Sequence, residues 1–139
     1  MGFVVDFSEF DKFRKQCQSL ESDFDTFLKD FLIEMAERVI RQTKPKTPKD
    51  TGALRNAWQL GDITGRGREI SVEILNPMEY ATDIEYGHRI VVGQGKDKKE
   101  VGWYDGHFML TTSIDSIQQQ MPFRFERQFG NFCRKHGIG

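Results

Sequence analysis

The sequence predicts an α+β fold with a long N-terminal helix, either broken or protruding. A small antiparallel sheet of about three to four strands follows, and then a C-terminal helix or kinked helix pair. Three observations predict it. Apolar residues recur at steps of three and four through the first third of the 139-residue chain. Short alternating runs bounded by Gly and Pro fill the middle, and helical spacing returns after residue 107.

In the first third, Phe7, Phe10, Phe13, Cys17, Leu20, Phe24, Phe27, Leu28, Phe31, Leu32, Met35 and Val39 stay on one broad face, as an amphipathic helix requires. Asp6 or Ser8 can cap its start, with Glu9 and Asp11 suitably acidic for the first turn. Pro45 and Pro48 are expected to end it, because Pro lacks the amide donor and pushes its predecessor out of helical geometry. A helix over about 6–43 would be roughly 55 Å long. That exceeds the diameter of so small a domain, so a break near Ser19–Ser22 or a protruding end is expected, with Ser22 a fair second N-cap.

The middle reads as β structure. Runs at 59–64 and 69–75 flank Gly65-Arg66-Gly67, a hairpin signature. Ile70, Val72 and Ile74 alternate with Ser71, Glu73 and Leu75, which predicts one buried face. Asn76-Pro77 marks a turn. Ile90-Val91-Val92 and Val101-Gly102-Trp103-Tyr104 look like two further strands around a polar, mobile loop at 93–100. Phe108, Leu110, Ile114, Ile117, Met121, Phe125, Phe129 and Phe132 restore helical period, interrupted by Pro122. The organisation is one domain over 1–139: a helical arm at 1–44, the sheet with its loops at 45–105, and C-terminal helices at 106–139.

Composition narrows the function classes. Twelve Phe among 37% hydrophobic residues supply a core, while 29% charged residues make the surface wet. The net charge of −1 argues against a general nucleic-acid coat or a membrane-surface binder. No apolar run approaches a membrane span, and the N-terminus lacks signal-peptide features. These features predict a soluble, cytosol-made protein without membrane contact. The charge is nevertheless segregated. Residues 1–40 carry nine acids against five bases, and residues 41–68 carry seven bases against two acids. Opposed faces of that kind can pair subunit to subunit, or the basic stretch can face nucleic acid.

The search for catalytic chemistry returns little. Gly93-Gln94-Gly95 is neither a dinucleotide fingerprint nor a P-loop. His88, His107 and His136 lack the companions of a zinc site, and Cys17 and Cys133 lack metal-like or disulfide spacing. His88 lies near Glu85 and Asp83, and His107 near Asp105, pairings that could support acid–base work. A hydrogen-bonded histidine beside a turn is the commoner arrangement. No cofactor is expected. The Phe stripe is too long for one small domain to bury, so Phe3, Phe7, Phe10 and Phe13 are candidates to meet another chain.

The most idiosyncratic stretch is Thr47-Pro48-Lys49-Asp50-Thr51-Gly52-Ala53-Leu54-Arg55-Asn56-Ala57-Trp58. Asp50 or Thr51 can cap a short helix with Leu54 and Trp58 inside, and Gly52 would permit close backbone approach. Three later pieces stand in order after it: Asn76-Pro77-Met78-Glu79-Tyr80-Ala81, Ile84-Glu85-Tyr86-Gly87-His88-Arg89, and Gly102-Trp103-Tyr104-Asp105-Gly106-His107-Phe108-Met109-Leu110-Thr111. Together, in this order, they resemble a bacteriophage tail-component family, the neck and tail-completion proteins of the head–tail junction. Where this chain has Ile90 to Val101, that family has a shorter or more variable stretch.

The resemblance implies a structural virion protein, not an enzyme, assembled in the bacterial host cytoplasm. It implies a homo-oligomeric ring, six- or twelvefold, with connector or stopper, tail-terminator or tail-tube proteins as neighbours. Within it, Pro48 and Asp50 belong to the shared motif, and Thr51, Gly52, Leu54, Arg55 and Trp58 would fix the turn from the long helix into the sheet. Tyr80, Glu85, Tyr86, Gly87, His88 and Arg89, with Gly102, Trp103 and Gly106, would build the junction beneath the 93–100 loop. That loop would reach a neighbour or the lumen, where Lys96, Lys98 and Lys99 would contact DNA weakly. A rival expectation is a small nucleic-acid-binding module using the basic stretch 41–68 and Trp58.

Overall fold

A computed structural model describes residues 2–6, 21–49, 52–66 and 69–138. It has the α+β class that the pattern predicts. Strand β1 (Gly2–Asp6) is followed by helix α1 (Glu21–Lys46) and a single helical turn, α2 (Ala53–Asn56). Strands β2 (Gln59–Arg66) and β3 (Glu69–Leu75) come next, then the short helix α3 (Ala81–Tyr86). Strand β4 (Gly87–Val92), a 3-10 turn (Gly95–Asp97), strand β5 (Lys99–Asp105) and helix α4 (Met109–Lys135) complete the elements among the described residues.

The described strands form two antiparallel sheets, where one small sheet was expected. One has the order β1-β3-β2, and the other is the two-stranded ribbon β4-β5. Ile70, Val72 and Ile74 on β3 are buried, as their alternation predicts. That face packs on α1, and α1 packs on α4. Between the two helices lies a run of interlocked rings. Phe31 and Phe125 meet edge to face at 5.3 Å, Phe24 and Phe132 at 5.9 Å, and Phe27 lies 5.1 Å from Phe132. Offset and edge-on contacts of this kind add to the energy of area burial alone. The Phe stripe from Phe24 onward is therefore core.

The beginning of the chain departs from expectation. The sequence predicts a helical arm over 1–44, with a helix from about residue 6 that breaks near Ser19–Ser22 or protrudes, but Gly2–Asp6 is a strand whose Phe3 sits opposite Val72. Phe3-Val4-Val5 is a β-branched and aromatic run that suits a pleated ladder. The deciding partner is β3, remote in sequence and invisible to local periodicity. Phe7, Phe10, Phe13, Cys17 and Leu20, and the expected break at Ser19–Ser22, lie in or against the stretch 7–20, outside the described residues.

Proline also acts differently at two places. Helix α1 runs through Pro45 to Lys46; the proline leaves only the Arg41 carbonyl without its helical donor, and Arg41 and Pro45 are both exposed, so water can satisfy it. Helix α4 is one helix, with Pro122 inside it. Pro122 and Gln118 are both exposed, so water can satisfy the carbonyl that the ring leaves without a donor. The expected 93–100 loop also shrinks, because the β4-β5 ladder continues to Val92 opposite Lys99.

A polar link joins the two long helices across their rim. Gln128 Nε2 donates to Glu34 Oε2 at 2.9 Å, and Arg38 pairs with Glu34 Oε1 at 3.0 Å. Burial pushes the Glu34 carboxyl up, but the Gln128 and Arg38 hydrogen bonds and the Arg38 and Arg124 charges outweigh it and hold the group below its ordinary value.

Two outcomes are expected. Leu32, fully buried on α1, should cost about 2–5 kcal/mol when replaced by Ala, read by denaturant unfolding. The depressed Glu34 group contributes stability above its unfolded value of 4.5, and that contribution is lost as pH falls through the lower folded value. Glu34→Gln should therefore lower stability at pH 7 and flatten its loss between about pH 5 and pH 3. An unchanged pH profile would count against it.

Candidate functional site

The chain leaves α1 through a knot of hydrogen bonds centred on Thr47. Its hydroxyl donates to the Thr43 carbonyl at 2.8 Å and accepts from Trp58 Nε1 at 2.9 Å. The Arg55 guanidinium donates to the Thr47 carbonyl at 2.7 Å. Leu54 on α2 and Trp58 just after it are both buried. Asn76 closes the group, donating to the Leu54 carbonyl at 2.8 Å while its own oxygen accepts from the Met78 amide. A buried indole with its N–H already bonded offers no stacking face to a nucleic acid. Asp50 and Thr51 lie outside the described residues. Gly52 has φ +69, and only Asn56 Nδ2 lies near its missing Cβ, at 3.9 Å. Its requirement is left-handed backbone, not the close approach expected. Pro48 lies on the intervening bend, half-buried.

The second group stands where α3, the ribbon and α4 meet. Glu85 is completely buried at 0% exposure, yet both its carboxylate oxygens are used. Oε1 accepts from the Leu110 amide at 2.9 Å; Oε2 accepts from the Thr111 amide at 2.8 Å and the Thr111 hydroxyl at 2.7 Å. Phe108, the residue at the N-cap of α4, makes no side-chain cap bond and has φ 47. Glu85 thus caps α4 from another helix, and its negative charge faces the positive end of the α4 dipole. The backbone reinforces the join, with His107 and Phe108 amides donating at 2.9 Å to the carbonyls of Ile84 and Glu85. Neither Glu85 oxygen is left for acid–base chemistry at His88.

Gly87 and Gly106 let the chain pass itself at this point. A Cβ on Gly106 would lie 2.5 Å from the Glu85 carbonyl oxygen, and one on Gly87 would lie 2.9 Å from the Gly106 nitrogen. Gly87 also has φ +87, a region that side chains strain to enter.

From this root the ribbon extends with little support. Its packing outside its own ladder is chiefly β4 on α3. Ladder pairing puts His88, Ile90 and Val92 on one face with Tyr104, and Arg89 and Val91 on the other with Trp103. Both faces therefore carry apolar groups, and they are exposed: Val92 at 52%, Trp103 at 55% and Val101 at 59%. Gly102 sits opposite Ile90 beside an irregularity in the ladder. Tyr80, Tyr86 and Phe108 extend the exposed apolar surface around the root, with Tyr86 and Phe108 edge to face at 6.2 Å.

Two of the candidate acid–base groups are engaged with Tyr104. His88 stacks on its ring at 5.0 Å, and His107 Nε2 lies 2.9 Å from its hydroxyl. Arg89 and Glu100 approach only to 3.9 Å with both side chains mostly exposed, a pair worth little in water. Lys96, Lys98 and Lys99 cluster on the exposed tip. Among the described residues, no group of three or more His, Cys, Asp or Glu is arranged to hold a metal ion. Nor is any described helix long and apolar enough to cross a membrane.

Sequence reasoning singled out Glu85 but missed what it does. A cap supplied from 25 residues away leaves no local signature. It also passed over Thr47 and Asn76 as bond-forming groups, although both stand within the quoted motifs. Removing the cap should be costly. Glu85→Ala leaves two helix amides without their partner and is expected to lose about 3 kcal/mol in chemical unfolding. Glu85→Gln, which keeps one acceptor oxygen, should lose less.

Comparison with known proteins adds a family. A family model described as “Bacteriophage HK97-gp10, putative tail-component” matches residues 11–87, more than half of the chain. No curated protein and no solved structure matches it. The match spans α1, the Thr47 knot, the β2-β3 hairpin and Glu85, and it stops at Gly87, where the ribbon begins. The chain belongs to the bacteriophage HK97-gp10 family of tail components.

Proposed function

We propose that this tail component is a virion protein of the head–tail junction, in the neck or at tail completion. There it closes into a homo-oligomeric ring, six- or twelvefold, that helps join the tail to the DNA-filled head. Connector or stopper, tail-terminator and tail-tube proteins are its neighbours, and its role is structural. The observation that carries this reading is the β4-β5 ribbon, whose apolar groups on both faces stand in water. A two-stranded ribbon is marginal by itself, and exposed contiguous apolar surface marks a place where another chain packs. The Glu85 cap and the His107 and Phe108 amide bonds hold the base of that ribbon at a fixed place relative to α4. A ring component needs such fixed geometry, since small angular errors would prevent closure.

The test is a phage in which translation of this chain is blocked. Filled heads and separate tails should accumulate, and infectivity should fall by several orders of magnitude. Restoring the protein in trans should rejoin them. Intact, infectious particles formed without the chain would refute the junction role.

A further inference from the structure

The ribbon has a counterpart at the opposite end of the molecule. Along the seam between α1 and α4, two adjoining open hollows of about 310 and 330 Å³ share Phe27, Phe132 and Lys135. Phe132 and Phe27 give them an apolar floor, and the His136 ring lies against Phe132 at 4.3 Å. Asp23 and Asp30 form the rim on the α1 side of one hollow. They belong to an acidic row on the solvent side of α1, Asp23, Asp30 and Glu37, spaced seven residues apart and all exposed. Seven residues is close to two helical turns, so the three carboxylates stand in line about 10 Å apart.

We propose that the β4-β5 ribbon of one copy lies in the α1–α4 seam of the next copy. The face that carries Val91 and Trp103, with Val101 at the ladder irregularity beside them, covers the Phe27–Phe132 floor, and the tip lysines face the Asp23–Asp30 rim. This rests on the ring reading and adds to it the two surfaces that meet. Shape and charge select the occupant together. The ribbon is a narrow rod with valines towards its end and Lys96, Lys98 and Lys99 at its tip. The seam is a narrow trough with an aromatic floor and a row of carboxylates on one side.

Geometry requires the two partners to be different copies. The ribbon starts beside Phe108, and the trough is at Phe132, about 36 Å away along α4 at 1.5 Å per residue. From Gly87 to its tip the ribbon is about 27 Å long at 3.4 Å per residue. It cannot reach its own trough. A rod at one end and a trough at the other make a head-to-tail contact, which uses two different patches and repeats from copy to copy. Contacts of that type close into rings when the rotation per copy divides a full turn.

Val101→p-benzoylphenylalanine tests the contact, with the full chain irradiated both at high concentration in solution and in assembled particles. Cross-linked pairs are expected to join position 101 to the 23–30 or 128–136 segments of a second copy. Replacing Lys96, Lys98 and Lys99 by Glu, or Asp23 and Asp30 by Lys, should each cut the yield at least fivefold. A chain carrying both sets should recover it, because each reversed tip then meets a reversed rim. Circular dichroism should be unchanged throughout, since every altered side chain is exposed, while Asp23→Lys in the first turn of α1 should lower melting only slightly. Cross-links between copies at other surfaces, or no recovery in the double-reversal chain, would overturn the rod-in-trough contact while leaving the ring intact. Cross-links to DNA or to a different tail protein would overturn it as well. Particles holding the chain in single, non-contacting copies would overturn the ring reading itself.

Discussion

The join between α3 and α4 depends on one buried carboxylate. Glu85 must be fully hydrogen-bonded to be tolerated at 0% exposure, and the start of α4 supplies the donors it needs. Each side therefore requires the other. Helix α4 begins with Phe108 in a left-handed conformation and without a cap of its own. Glu85 ends up beneath a helix of 27 residues that forms half of the aromatic core. The α3 helix, only six residues long, would have little reason to keep its position without this bond.

That constraint produces a division of labour along the chain. The α1–α4 pair and the three-stranded sheet carry the apolar core, and the two polar joins fix where the chain enters and leaves it. At one join, Thr47 gathers Arg55, Trp58 and the end of α1. At the other, Glu85, Gly87 and Gly106 bring three segments within van der Waals contact. The ribbon between β4 and β5 then contributes almost nothing to the core. A segment kept apolar while doing so little for its own fold is best understood by what it touches outside it.

The sequence made the periodic features legible and the long-range ones illegible. Phe24 to Val39, Ile70 to Ile74 and Leu110 to Phe132 could be placed on buried faces, because burial writes its period into the local order of residues. Phe3-Val4-Val5 could not be assigned to a strand in the same way. Its pairing depends on β3, far along the chain, and the neighbouring Phe pattern favoured helix extension. Pro45 and Pro122 pointed to breaks that the helices absorb, one in a last turn and the other within a helix, both on the wet side. The motif residues Arg55, Trp58 and Glu85 were visible as unusual. Their partners, a threonine hydroxyl and two backbone amides, leave no trace that residue types alone can reveal.

The pairing of β1 with β3 has a bearing on the order in which the protein takes shape during its synthesis. Val5 lies beside Ile70, so the first strand leaves the ribosome with its partner still some sixty-five residues from being made. Meanwhile α1 can form, and β2 and β3 can zip through their short turn. Strand β1 is thus made well before β3 and is the last of the three strands to join its sheet. Until it does, one edge of β3 stands open, and a strand from a neighbouring nascent chain could occupy it first.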